Sequence, residues 1–264
     1  MSALSQNQLR FLTSLQQKKY RNIHGVFLIE GEKMVTEFLE QDQGLYRARR
    51  LFALPEFFTG KEYLEERVQC IRINEHELGK ISSLSTPNSA VLEIGIPDEK
   101  PDLQSLQDKL TIYLENIRDP GNFGTIIRTA DWFGMRTLVC SPGSVDLFNP
   151  KVLQASMGSF VRVRIIYMDP EELIAITSNF KPFSYTATIM EGMNVFEYEL
   201  PDRGLIFFGN ESGGLSDSII SKCDHRITIP GFNNPPGPDS LNLSIAAGII
   251  MAEMKRKSLT RSGN

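Results

Sequence analysis

Cysteine and histidine are scarce, with three of each in 264 residues. Cys70, Cys140 and Cys223 are odd in number, far apart and without a CxxC pair. That pattern excludes a disulfide framework and a zinc site, and it fits reduced thiols in a cytoplasm. His24, His76 and His225 are just as scattered, so no metal is expected. Long apolar runs are missing too. Nothing approaches the roughly 20 residues of a membrane span, and the opening MSALSQNQLRFLTSL lacks a signal-peptide pattern. An excess of positive charge is also absent. A net charge of −4 gives no global sign of nucleic-acid binding, so any RNA-binding surface has to be local.

What is present suffices for one or two domains with a sizeable core, since 41% of the residues are apolar. The first part reads as a small α/β unit. Leu4, Leu9, Leu12 and Leu15 recur at helical spacing, and EKMVTEFLEQ sets Met34, Val35, Phe38 and Leu39 on one side of a second helix. VFLIEG, RRLFAL, VQCIRI and AVLEIGI read as strands. PDEKPDLQSLQDK, with two prolines, several charges and no apolar period, is the candidate linker. From Leu110 the strands LTIYLEN, RTLVCS, VRVRIIYM, FSYTATIM, GLIFFG and HRITIP alternate with helical stretches. Continuous rather than alternating apolar strands predict a parallel sheet covered on both faces. The expected division is therefore 1–97, a linker at 98–109, and 110–264. Ligand loops belong at the carboxyl ends of the parallel strands.

Three loops stand at such ends. In ENIRDPGNFGTIIRTADWFG, Pro120 and Gly121 turn the chain and Asn122 fits a helix N-cap. Ile126, Ile127, Ala130 and Phe133 form the buried stripe, with Gly134 as the stop. Arg128 lies off that stripe near the helix start, where the helix dipole disfavours a cation; a compensating partner and a solvated surface arginine are both open. The second loop, GNESGGLS, follows Leu205-Ile206-Phe207-Phe208. It has neither a phosphate-binding lysine nor G-x-G-x-x-G spacing, and its charge is the carboxylate of Glu211. A neutral or cationic ligand fits such a loop, as does a carboxylate that orients an arginine. An ordinary turn with an exposed glutamate is the plainer reading. Gly213 and Gly214 admit close backbone approach, and Ser216 is placed to cap the next helix. The third loop, ITIPGFNNPPGPDSLNLSIAAG, enters a slim helix at Ala246-Ala247-Gly248; Ser240 and Asn242, taken singly, read as caps.

In this order and spacing, N-x-x-x-x-x-R, G-N-E-x-x-G-L-S and I-P…S-L-N-L-S-x-A-A resemble the SpoU (TrmH-type) RNA 2′-O-ribose methyltransferases over roughly 110–257. NPKVLQASMGSFVRV is similar to a stretch between that family's first two motifs. LRFLTSLQQKKYRNIHGVFLIEGEKMVTEFL is similar to the ribosomal-protein-like substrate-binding domain joined to many members. The resemblance implies a parallel α/β domain with a C-terminal trefoil knot, a homodimer whose active site draws on both subunits, and S-adenosylmethionine as donor. It implies functional roles for Asn122, Arg128, Glu211, Ser240 and Asn242. It also implies donor contacts at Phe208, Gly209, Asn210, Gly213, Ile229, Pro230, Gly231, Ser240 and Leu241. Structured RNA is the implied substrate, ribosomal RNA ahead of transfer RNA on account of the extra domain. A non-catalytic RNA-binding protein that keeps the fold is the competing class, and an adenine-nucleotide regulator a third. The loop GFNNPPGPD is longer than the family's usual connection, and Pro235, Pro236 and Pro238 stiffen it.

Positive charge is densest at Lys18, Lys19 and Arg21, and at Arg47, Arg49 and Arg50, apart from the C-terminal Lys255-Arg256-Lys257. These two runs are the expected RNA grip, against the plainer reading of a solvated helix end.

Overall fold

A computed structural model describes residues 4–41, 45–98, 100–232 and 240–262, with side chains of the last helix as far as residue 256. The chain forms two compact units, Met1–Glu99 with Asp146–Val161, and Lys100–Val145 with Arg162–Asn264. Residues 146–161 thus cluster with the first unit although they lie between strands of the second.

The first unit is built on strands β1 (Val26–Glu30), β2 (Arg47–Ala53), β3 (Gln69–Arg72) and β4 (Ala90–Gly95), ordered β1-β4-β2-β3. β4 runs antiparallel to β1 and β2, while β3 runs parallel to β2. Alternation along β1 sends Val26 and Leu28 to one face and Phe27 to the other. Val26, Leu28, Phe52 and Val91 pack with Leu9 and Leu12 of α1 (Gln6–Ser14) and with Leu78 and Ile81 of α4 (Glu75–Ile81). On the other face the Phe27 ring lies 4.4 Å from Phe148 and 6.0 Å from Phe160, and Phe160 stacks on Phe38 of α3 (Glu32–Glu40). Aromatic residues of the 146–161 segment, with α6 (Pro150–Ser156) inside it, therefore complete a core that the first 99 residues leave open.

The leucine pattern belongs to α1, whose C-cap is Leu15, and a separate helix, α2 (Lys18–His24), follows it. Arg21 closes the break. Its Nη1 donates at 2.8 Å to the carbonyls of Leu15 and Gln16, satisfying acceptors that the end of α1 leaves orphaned. Its Nε and Nη2 donate to Asp146 at 3.2 and 2.6 Å.

The second unit holds six parallel strands ordered β10-β8-β9-β5-β6-β7. They are β5 (Leu110–Leu114), β6 (Thr137–Cys140), β7 (Arg164–Tyr167), β8 (Ser184–Asn194), β9 (Gly204–Phe208) and β10 (His225–Thr228). The expected parallel α/β class is what folds. Every residue of β9 is buried, as a strand covered on both faces requires. Tyr113, Val139, Leu205 and Phe207 pack with Leu173 of α7 (Pro170–Thr177) and Ile219 of α8 (Asp217–Ile220). Helices α5 (Pro120–Trp132) and α9 (Leu243–Ser262) pack on each other. Ile126, Ile127, Ala130, Ala247, Ile250 and Met251 are fully buried there. A Cβ on Gly248 would sit 3.7 Å from Thr129 Cγ2, the close approach its slimness allows.

Candidate active site

Strands β5 and β9 are neighbours, with Leu114 opposite Phe208, so the loops that leave their carboxyl ends start side by side. The first loop is tied to the chain after β6 by hydrogen bonds. Asn116 takes a left-handed backbone at φ 52°; its N–H donates to Ser141 Oγ at 2.7 Å, and the Val145 N–H donates to the Ile117 carbonyl at 2.8 Å. The helix cap here is Asp119, not Asn122: Asp119 Oδ1 accepts the Asn122 N–H at 2.7 Å, and Pro120 opens α5. An aspartate before proline is the signal that points to it.

Relieved of capping, the Asn122 side chain links all three loops. Its Nδ2 donates to Glu211 Oε1 at 2.7 Å, and its Oδ1 accepts from Asn242 Nδ2 at 2.9 Å. Asn242 Oδ1 in turn accepts the Ser244 N–H at 2.9 Å and the Ser244 hydroxyl at 2.7 Å, capping α9. The direction of each bond is forced. An ionised carboxylate only accepts, so Glu211 takes the amide nitrogen of Asn122, which leaves that residue's oxygen to Asn242. Asn242 is both cap and site residue.

The second loop closes on itself. Asn210 bridges to Gly214, and Asn210 Oδ1 accepts the N–H groups of Ser212 and Gly213 at 3.0 and 2.7 Å. Gly209 is required at the neck, because a Cβ there would lie 1.9 Å from the Gly214 carbonyl carbon. Phe208 is buried, Gly213 is exposed, and Ile229 and Pro230 are half-buried. Gly231, Ser240 and Leu241 are exposed. Ser216 begins α8 without a side-chain cap; its N–H is held by Glu115, a residue that the sequence motifs do not single out. The carboxylate of Glu211, the open glycine backbone and the exposed Leu241 suit a ligand that is cationic or neutral and partly apolar. They do not suit a phosphate.

Two of the expected site residues stand apart from this network. Ser240 makes no hydrogen bond among the described residues. Arg128 is the ninth residue of α5, so it lies beyond the first turns where the dipole would oppose it. Six residues after Asn122, it points about 240° round the helix and lies about 9 Å along it. It is exposed and has no ion-pair or hydrogen-bond partner among the described residues. The prolines Pro235, Pro236 and Pro238, and the loop through Asp239, lie outside the described residues.

Two of the six residues of the expected RNA grip are engaged within the first unit. Arg21 is buried in its ion pair with Asp146, and Arg50 donates to Glu93 at 2.5 Å while lying over the rings of Phe11 and Phe52. Both are structural, because their guanidinium groups are taken up inside the unit. Lys18, Lys19, Arg47 and Arg49 are exposed.

Residues 109–252 match the model of the SpoU rRNA Methylase family. The chain belongs to this family. Residues 6–91 match the MRM3-like substrate binding domain. The 23S rRNA (guanosine(2553)-2′-O)-methyltransferase RlmP of Bacillus subtilis is 27% identical, over 91% of this chain and 93% of that one. Mitochondrial rRNA methyltransferase 3 of Xenopus tropicalis is 30% identical, over 94% of this chain and 74% of that one. Among solved structures, the AdoMet-bound rRNA methyltransferase of Sinorhizobium meliloti superposes with a TM-score of 0.83 at 25% identity, covering 97% of each chain. Among the described residues, no group of three or more His, Cys, Asp or Glu side chains is placed to hold a metal ion. No helix among them is long and apolar enough to cross a membrane.

Proposed function

We propose that this SpoU-family enzyme transfers a methyl group from S-adenosylmethionine to a ribose 2′-hydroxyl of ribosomal RNA. The observation that carries the reading is the Glu211–Asn122–Asn242 network, which ties three family motifs together at the carboxyl ends of parallel strands. S-adenosylmethionine supplies a methyl group on a sulfonium, with a neutral thioether as leaving group. The 209–214 loop, with Ile229, Pro230, Gly231, Ser240 and Leu241, would hold it. The network fixes the loop and the start of α9 as one surface.

The 2′-hydroxyl gives its proton to solvent water as its oxygen forms the new bond to carbon and the carbon–sulfur bond breaks. Arginine is a poor base because it keeps its proton at physiological pH. Arg128 instead stabilises the developing alkoxide and the adjacent phosphate as a fixed cation. Turned away from Asn122 on the same helix, it serves a homodimer in which the active site draws on both protomers. Trp132 on α5 and Ile245 on α9, 85% and 53% exposed, support an apolar contact on those helices. A C-terminal trefoil knot and a cytoplasmic location belong to the same reading. In the first unit, Lys18, Lys19, Arg47 and Arg49 are the proposed phosphate contacts.

The deciding experiment maps 2′-O-methyl groups in RNA from cells with and without the protein. Loss of one ribosomal site, restored by wild type, is expected. A map that does not change would overturn the assignment, and loss at a transfer-RNA site would move the substrate class.

A further inference from the structure

Glu115 is 8% exposed and closes β5. Its own N–H donates to the Phe208 carbonyl at 2.8 Å, which extends the β5–β9 ladder by one rung. Its carboxylate Oε2 accepts the Ser216 N–H at 2.8 Å across 101 residues of sequence. No cation is bonded to it among the described residues. A buried carboxylate needs strong hydrogen bonds to remain there, and this one rests on the backbone that directly follows the neck of the second loop. That neck is the Gly209–Gly214 crossing, with Leu215 buried behind it. The loop therefore has two ties to the β5–α5 segment: Glu211 to Asn122 at its tip, and Ser216 to Glu115 at its return.

We propose that Glu115 is a positioning residue, which sets the placement of the 209–214 loop through the bond accepted from Ser216 and so governs affinity for the methyl donor. This rests on the reading of that loop as donor-binding. The tip tie alone leaves the loop free to pivot about Gly209 and Gly214. The return tie removes that freedom before the donor arrives, which is how preorganisation raises affinity.

The test is titration of the full-length protein with S-adenosylmethionine alone, beside measurement of KM for RNA. Glu115→Ala is expected to weaken donor binding at least tenfold while KM for RNA stays within threefold. Glu115→Gln keeps an acceptor oxygen and is expected to bind the donor within threefold of wild type. Ser216→Pro deletes the donor N–H at a residue whose φ of −67° already suits proline. It is expected to match Glu115→Ala, with no further loss when the two are combined. Donor affinity of Glu115→Ala within threefold of wild type, or losses that add in the double variant, would overturn the proposal. Should Glu115→Ala fail to fold, the Glu115→Gln and Ser216→Pro pair decides it by the same criteria. Failure of wild type itself to bind the donor would instead remove the donor-binding reading of the loop.

Discussion

In the first unit, Arg21 and Arg50 lie against carboxylates and backbone carbonyls, 2.6 Å from Asp146 and 2.5 Å from Glu93. In the second, Arg118 and Arg128 are exposed and have no partner among the described residues. The first pair completes a core: Arg21 joins the α1–α2 break to the 146–161 segment, and Arg50 seals the sheet beside Phe11 and Phe52. Of the second pair, Arg118 precedes α5 beyond the carboxyl end of β5, where ligands bind in such sheets, and Arg128 is the ninth residue of that helix. An arginine whose guanidinium is held by a carboxylate of its own unit is structural. One that keeps its donors on a rigid element is available for a substrate. Residue type alone does not separate the two cases; what surrounds the guanidinium does.

Removing the free cation is the strongest way to break this comparison. Arg128→Ala is expected to lower single-turnover methyl transfer by about 10²–10³-fold, in the range for loss of one oxyanion-stabilising donor. Donor affinity by titration should stay within about threefold. Mixing it with an Asn242→Ala protein should restore activity through heterodimers that carry one intact site. If the mixture is as inactive as its components, Arg128 does not enter from the other protomer.

Removing a structural arginine should act on folding instead. Arg21→Met leaves Asp146 partly buried without its cation, a loss of about 3–5 kcal/mol where the pair is well buried. Chemical denaturation of the first unit measures it, and donor affinity should not change. Arg50→Met is expected to cost a similar amount, since it leaves Glu93, 4% exposed, without its cation. A loss below about 1 kcal/mol for either variant, the range of exposed pairs, would contradict the roles assigned.

The Asn122 network offers a finer test. Asn122→Asp places a second carboxylate against Glu211, where wild type has an amide donor, whereas Asn122→Ala only removes the bonds. The aspartate variant is expected to bind the donor more weakly than the alanine variant, by roughly tenfold or 1.4 kcal/mol. The reverse order would show that the direction of these bonds does not matter.

The strands of both sheets were legible in the sequence as short apolar runs whose ends glycine, proline and asparagine mark, and those of the second unit are continuous because a parallel strand is buried on both faces. The stop of α5 at Gly134, with φ of +69°, was legible for the same local reason. Pairings across the chain were not. Arg21 reads as a surface cation until Asp146, 125 residues on, is placed beside it. Asn122 reads as a cap until Glu211 and Asn242, 89 and 120 residues away, claim its amide. The break between α1 and α2 was hidden because all four leucines lie at or before Leu15, so their spacing says nothing about Lys18–His24. The family resemblance supplied what spacing could not, bringing Asn122, Glu211 and Asn242 forward as a set.

The exposed basic residues left in the first unit sharpen the comparison further. Reversing Lys18 and Lys19 to glutamate should weaken RNA binding and lower the slope of log affinity against log salt by about 2, one for each phosphate left without its lysine. Arg47→Ala and Arg49→Ala together should act alike. An unchanged slope in both would place the phosphate-binding surface elsewhere on the protein.

The smallest expected effect uses the cysteines, which report on the two units separately. Burial raises all three thiols above their ordinary range: Cys70 on the edge strand β3, Cys223 to about 12 with Asp224 adding to it, and Cys140 in the core. Only the thiolate reacts with a disulfide reagent. At pH 8 a thiol titrating near 12 is ionised to roughly one part in 10⁴, against about a quarter for a free cysteine, so Cys223 should label roughly 10³-fold slower from ionisation alone. Cys70 should label first and Cys140 only on unfolding. Arg21→Met should then speed labelling of Cys70 several-fold and leave Cys140 unchanged, since the lost ion pair belongs to the first unit. Equal acceleration at both sites would mean that the units open together, and that the distinction between them has no counterpart in stability.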